Sequence, residues 1–244
     1  MKGYDNINTF ILNQKDLSVD FFFHAWILNK DKLYPTSPWR NIPIETLLYN
    51  ENTVNDLINL YKPVLCEVEE QIQTFDESIY TNTIAYNNIV CSSKRNNINN
   101  TLSQMYSRNK VRNLVNRYIH TSQTTYDTII ICRFDYSDKI ELQLHNLDLS
   151  YTYVSDYHYP RKITPDNFII TPPSIFFEWF NIFENLSKVL NNNDLNILVK
   201  NYSEELEINP EVLIFANYLY VNIEKFNKSN IDNIKYISQI KTGL

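Results

Sequence analysis

Two glycines are all this 244-residue chain has, Gly3 and Gly243, and both sit at its ends. Without interior glycine there can be no G-x-G-x-x-G turn, no G-x-x-x-x-G-K-[ST] phosphate cradle and no G-x-S-x-G elbow. Each of those sites needs a residue without a Cβ, so that backbone can approach phosphate or adopt positive φ. P-loop nucleotide hydrolases, dinucleotide-binding dehydrogenases, protein kinases and α/β-hydrolases are disfavoured on this count. Cysteine is scarce too. Cys66, Cys91 and Cys132 are odd in number, far apart and in no C-x-x-C pair. That pattern excludes a disulfide scaffold and a structural zinc knuckle, and it points to a reducing compartment. Positive charge is in deficit: 22 Lys and Arg stand against 28 Asp and Glu, a formal charge of −6. A nucleic-acid binder would show the opposite balance, so no nucleic-acid partner is expected. No apolar run approaches the roughly 18 residues of a membrane span, and no basic-then-apolar leader is present. A soluble, cytoplasmic protein is the expectation.

What the chain does have is a core. Hydrophobic residues make up 43% and aromatics 14%, enough to fold as one domain. Asn, Ile, Tyr and Lys are plentiful, a bias that A-rich codons produce and that carries no mechanism. No repeat of 20–50 residues is visible.

The periodicity predicts alternating elements. A first helix is expected over Tyr4 to Asn13, with Ile7, Phe10 and Ile11 on one face. Val19 to Trp26 reads as a buried aromatic strand, and Tyr34 to Pro43, with three prolines, as a loop. Thr53 to Tyr61 is a short helix stopped by Lys62-Pro63, and Val64 to Val68 is a strand. Thr74 to Asn100 reads mostly as loop with some helix. Thr101 to His120 is the clearest helix, with Leu102, Met105, Val111, Leu114, Val115 and Tyr118 near a 3.6 period. Thr128 to Cys132 is a continuous apolar run, the pattern of a strand covered on both faces, as in a parallel sheet. Ile140 to Leu144 alternates like a half-exposed strand, and Asn167 to Thr171 is another strand. Ser174 is a good N-cap for an aromatic helix from Ile175 to Leu190, followed by helices over Asp194 to Tyr202 and Pro210 to Phe226. Strands alternate with helices up to about residue 135 and mix afterwards, which predicts an α/β class.

Four places can carry chemistry. The apolar strand ending at Cys132 hands over Arg133-Phe-Asp135-Tyr-Ser-Asp138. In open α/β sheets ligands bind outside the carboxyl ends of strands, and Arg133 and Asp135 share a face by the strand period of two. A carboxylate there can hold a hard cation, and the cation a diphosphate; an ion pair capping the strand is the plainer reading. His24 and Trp26 also share a face, at the end of the aromatic strand. They can stack on, or hydrogen-bond, a base or sugar, or they can be ordinary core. Asp166-Asn167-Phe168 enters a strand with side chains suited to sugar hydroxyls, or forms a turn after Pro165. Glu211, behind Pro210, is either an acid favoured in a first helical turn or a functional carboxylate. His145 and His158 have no ligand spacing and read as surface. Glu69-Glu70, Glu204-Glu205 and the basic stretch Lys94 to Arg117 read as solvated charge.

In order, these pieces resemble the GT-A-type glycosyltransferase-like proteins of bacterial surface-polysaccharide clusters and large DNA viruses. The resemblance runs over residues 19 to 220. It rests on Asp20-Phe-Phe-Phe-His-Ala-Trp26, Leu60-Tyr-Lys-Pro-Val-Leu-Cys-Glu-Val68, Ser103-Gln-Met-Tyr-Ser-Arg-Asn-Lys110, Tyr126 through Arg133-Phe-Asp135, Asp166-Asn-Phe168 and Pro210-Glu211. It implies a GT-A-like mixed sheet flanked by helices in a single domain, 1–244. Residues 19–135 would be its nucleotide-binding half and 136–244 its acceptor-side half. It implies a nucleotide-sugar donor, a glycan acceptor, and Mn²⁺ or Mg²⁺ held by Asp135 with Asp138. His24, Trp26, Arg133 and Asp135 would bind the donor, and Asp166 or Glu211 would serve as the catalytic base. Relatives open on an apolar strand and a Ser-Gly-x-x-Arg turn, whereas this chain opens Met1-Lys-Gly-Tyr4. A sheet lacking its first strand is therefore expected, with rearrangement or a partner chain such as a second copy, as in a homodimer, making good the loss. A relative without activity, used for binding, is the alternative. An interaction module that presents Phe176 to Phe180 as a sticky face is a third reading.

Overall fold

A computed structural model describes residues 2–27, 51–72, 74–85, 98–134, 139–140, 142–155, 167–203, 210–226, 234–237 and 240–241. Helix α1 (Lys2–Ile7) runs into a wider π turn (Asn8–Leu12). Then come β1 (Phe22–Ile27), α2 (Glu51–Tyr61), β2 (Leu65–Glu70), the short α3 (Ser78–Thr81) and the long α4 (Ile98–Ser122). The second half carries β3 (Ile129–Cys132), β4 (Lys139–Ile140), a 3₁₀ turn (Leu144–Asn146), β5 (Thr152–Ser155) and β6 (Phe168–Thr171). Four helices follow, α5 (Pro173–Trp179), α6 (Ile182–Asn191), α7 (Asn193–Ser203) and α8 (Pro210–Phe226), and then β7 (Ile234–Ile237) and β8 (Ile240–Lys241). The class is mixed α/β, as the alternation of periods predicts.

β1 and β2 pair in parallel, with Phe22 opposite Leu65 and Trp26 opposite Glu69. β3, β6, β5 and β7 form a second sheet in that order; β6 is antiparallel to both its neighbours and β5 is parallel to β7. Among the described residues β1 and β3 share no ladder, yet side chains beside them touch. Tyr126, just before β3, donates its hydroxyl to Asp20 Oδ2 at 2.7 Å, just before β1. Phe134, just after β3, packs edge-on against Phe23 at 5.4 Å. Among the described residues, then, side chains join the two strands across a break in the pairing.

The period of two distributes both sheets between two cores. Ile169, Val154, Phe22, Ile129 and Ile131 face the first core, with Leu102 and Met105 of α4, Trp179 of α5, Leu186 of α6 and Phe215 of α8. Phe168, Ile170, Phe23, Ile130 and Cys132 face the second, with Ile7, Ile11, Leu57 and Tyr61. All four residues of β6 are buried, so this central strand joins the two cores. Phe176, Trp179 and Phe180 are buried as well, which removes the sticky-face reading.

Several local expectations change. β1 starts at Phe22 rather than Val19, because the ladder with β2 begins there and Val19 is exposed. β3 does touch both cores, but it pairs antiparallel and is only half-buried, since one flank lies along the break. An apolar run reports burial and says nothing of strand sense. Among the described residues of the Ile140 to Leu144 segment only Ile140, the end of β4, is strand. Gln14 donates Nε2 to Leu142 O at 2.6 Å and accepts from Leu144 N at 2.9 Å, which turns the backbone away from any ladder and buries both leucines. Ser174 is no cap. Pro172 takes that position and Pro173 opens α5, where a missing N–H costs nothing. The aromatic helix is broken in two because Asn217 donates to Trp179 O, a carbonyl that a continuous helix would use itself.

Candidate functional site

The carboxyl ends of β1 and β2 meet α4 in a polar cluster inside an otherwise apolar layer. The parallel register puts His24 beside Glu67 and Trp26 beside Glu69, and the strand period points all four at α4. From α4, Tyr106, Ser107 and Lys110 come down at i, i+1 and i+4, within one turn. Lys110 Nζ lies 2.6 Å from Glu67 Oε1 and 2.5 Å from Glu69 Oε1, and 5.2 Å from the centre of the Tyr106 ring. Tyr106 gives its hydroxyl to Glu69 Oε2 at 3.2 Å. Its ring stacks on Trp26, with centroids 5.5 Å apart and planes 21° from parallel. His24 meets Trp26 edge to face at 4.5 Å, and its Nδ1 is 3.1 Å from Ser107 Oγ. His24 is 7% exposed, and its Nε2 is buried with no hydrogen-bond partner.

The electrostatics follow from this packing. Burial pushes the His24 pKa down from 6.5 to about 4; the Glu69 carboxylate opposes this and Lys110 adds to it. His24 is thus neutral near pH 7. A side-chain hydrogen bond with Glu67 does most to hold Glu69 down at about 2; partial burial opposes it, while Lys110 and Tyr106 reinforce it. Desolvation works against the charge on Lys110, but hydrogen bonds to Glu67, Glu69 and Tyr106 outweigh it and lift Lys110 above the ordinary lysine range. Three displaced titrations in one cluster, at the carboxyl ends of parallel strands, are a physical mark of a functional site.

The cluster was half legible in the sequence. His24 and Trp26 are there, as a shared strand face requires. Glu69 and Lys110 read as solvated charge and are instead half-buried partners; the signal was the second acid at Glu67, two residues from Glu69 on the same strand face. Across the break, Arg133 follows β3, and its backbone N–H donates to Asn167 O at 3.3 Å. The antiparallel pairing of β3 with β6 thus brings the end of the Arg133 motif to the start of the Asp166-Asn167-Phe168 motif. Asp135, Asp138 and Asp166 themselves lie outside the described residues, as do Cys91, His158, Glu204, Glu205 and the Tyr34 to Pro43 segment. Glu211 is half-buried in the first turn of α8, a helix packed against α4 to α7. His145 is exposed on the 3₁₀ turn.

No family model, curated protein or solved structure matches this chain. The site is therefore read from its own chemistry. Among the described residues no three His, Cys, Asp or Glu side chains converge where a cation could sit. Among the described residues thiol nucleophiles are disfavoured: Cys66 and Cys132 are free, and burial raises the pKa of both, Cys132 to about 12. No helix among the described residues is long and apolar enough to cross a membrane. What the described residues offer is a neutral imidazole, an aromatic wall and two carboxyl groups on one side of the break, and a guanidinium on the other.

Proposed function

We infer that this chain is a glycosyltransferase-like protein that takes a nucleotide sugar at the carboxyl ends of β1 and β3 and passes the sugar to a glycan acceptor in the cytoplasm. The observation that supports this reading is the contact of the end of β3 with β1, at Phe23, the second residue of that strand. Phe134 rests on Phe23. The residue that follows Phe23 is His24 and the residue that precedes Phe134 is Arg133, so the two motifs meet across one aromatic contact. Arg133 can neutralise phosphate as a planar donor. Transfer builds negative charge on the departing diphosphate, and positive charge placed there lowers the barrier. The resemblance assigns Mn²⁺ or Mg²⁺ to Asp135 and Asp138, where it would add to that charge. It assigns the base that deprotonates the acceptor hydroxyl to Asp166 or Glu211.

A second reading is favoured by one feature. Among the described residues no ladder joins β1 to β3, and the resemblance implies that the first strand of the sheet is lacking. A relative with an incomplete donor site would bind glycan without transferring it. Thermal unfolding with a panel of nucleotide sugars, each with and without Mn²⁺, separates the two. A donor at 100 times its Kd adds about 2.7 kcal/mol of stability. The transferase reading expects a metal-dependent shift that Asp135→Ala abolishes. Stabilisation by free glycans alone, with no response to any nucleotide sugar, favours the binding protein.

A further inference from the structure

We propose that the cluster at the carboxyl ends of β1 and β2 is a subsite for the neutral, hydroxylated ring of a sugar, free or carried on a nucleotide, with His24 Nε2 pairing to one of its hydroxyls. The proposal deepens the donor reading and rests on it for placing His24 and Trp26 at the ligand.

The first observation is the unused ring nitrogen. His24 Nδ1 is engaged by Ser107 Oγ at 3.1 Å, while Nε2 is buried and without a partner. Leaving such an atom unpaired costs about 1–3 kcal/mol, which a ligand atom supplying the partner recovers. The Ser107 hydroxyl can give or take a proton, so either tautomer of His24 is open. A ligand hydroxyl is both donor and acceptor and satisfies either one.

The second observation is charge. One ammonium, Lys110, stands between two carboxylates, Glu67 and Glu69, beside an imidazole that burial keeps neutral. The acidic groups outnumber the one ammonium, so the cluster offers no net positive charge to a phosphate. The part of a ligand that fits here is neutral, and a diphosphate belongs across the break, toward Arg133. The third observation is the wall. Trp26 meets His24 edge to face at 4.5 Å and is backed by Tyr106 at 5.5 Å. An aromatic wall beside acceptor-only carboxylates is the chemistry that receives the C–H face and the hydroxyls of a sugar ring.

The test uses the full chain with ¹⁵N-labelled histidine. The His24 resonances among the four histidines are assigned by comparison with His24→Gln. Glucose, galactose and N-acetylglucosamine are titrated in one arm, uridine and guanosine in a second and inorganic phosphate in a third. The expected result is a saturable movement of His24 Nε2 with at least one sugar, little movement in the other two arms, and roughly tenfold weaker sugar binding in Trp26→Ala. Three results would overturn the proposal: an Nε2 signal that no sugar moves, as an ordered water alone would leave it; movement by nucleosides only; or movement by phosphate. The donor reading fails separately. If a nucleotide sugar stabilises the chain while His24 Nε2 stays still, that reading stands and the subsite falls. If sugars move Nε2 and no nucleotide sugar binds, the subsite stands without a transferase.

Discussion

Tyr106 lies flat on Trp26 while giving its hydroxyl to Glu69, so one side chain of α4 joins the aromatic and the charged halves of the cluster. The two roles separate by substitution. Tyr106→Phe keeps the ring and removes a single hydrogen bond, a loss of about 1 kcal/mol. Tyr106→Ala removes the ring from between Trp26, Phe75 and Phe183 and should cost about 3 kcal/mol. Urea unfolding of both variants measures the difference. Equal losses would mean that the stack contributes nothing beyond the hydroxyl.

Lys110 is the only basic group among the described contacts of Glu67 and Glu69. Lys110→Met would leave two carboxylates on one strand face with no counter-charge. The side chains are a quarter to a third exposed, which screens the repulsion and keeps the expected loss near 1–2 kcal/mol. Salt should recover part of that loss, and adding Glu67→Gln should recover more. Unfolding of the single and double variants at low and high salt checks this. Strictly additive losses would show that the charges are not coupled.

How far the sequence reaches is visible in these same residues. Helices α2, α4 and α7 are legible because each buries one face at a period of 3.6, and α8, buried nearly all round, because Pro210 marks its first turn. Strands β1, β2, β3 and β6 are legible because apolar runs of their length are bounded by polar or proline-containing segments. Tertiary hydrogen bonds are not local, so the Gln14 clamp on residues 142–144 and the Asn217 contact that splits the aromatic helix could not be seen. Glu69 and Lys110 were misread for a related reason. Charge on one element looks solvated until its partner, 41 residues away in sequence, is known to stand opposite. No periodicity could have located the lack of a ladder between β1 and β3 among the described residues.

His24 makes stability depend on acid in a definite window. Its folded pKa, about 4, lies below its ordinary value of 6.5, so the unfolded chain binds the proton more readily than the folded one. Stability from this group is therefore full above pH 6.5 and falls as pH drops from 6.5 to 4, by roughly 3 kcal/mol in all. Glu69, also depressed, takes over below that window: its contribution is lost as pH falls from 4.5 toward 2. Urea titrations between pH 7 and pH 3 should show a slope above pH 4.5 that flattens in His24→Gln while the lower limb remains. An unchanged slope in the variant would mean that His24 titrates normally in the folded chain.

The lack of interior glycine leaves a mark on the backbone that substitution can reverse. Gln123, the residue after α4, takes φ of 58°, and its N–H closes the helix on Ile119 O at 2.9 Å. Lys62 does the same after α2, with φ of 46° and a bond of 2.8 Å to Ile58 O. Glycine fills such a position without the clash that a Cβ makes with the carbonyl oxygen. Gln123 is exposed, so exchanging it disturbs no packing. Gln123→Gly should stabilise the chain by about 1 kcal/mol, or about 2–4 °C in Tm for a domain of this size. Thr121→Gly, two residues earlier and inside the helix, should move the other way by a similar amount. Paired thermal scans decide it, because a general effect of glycine on the unfolded chain would shift both variants in one direction, whereas helix closure requires opposite signs.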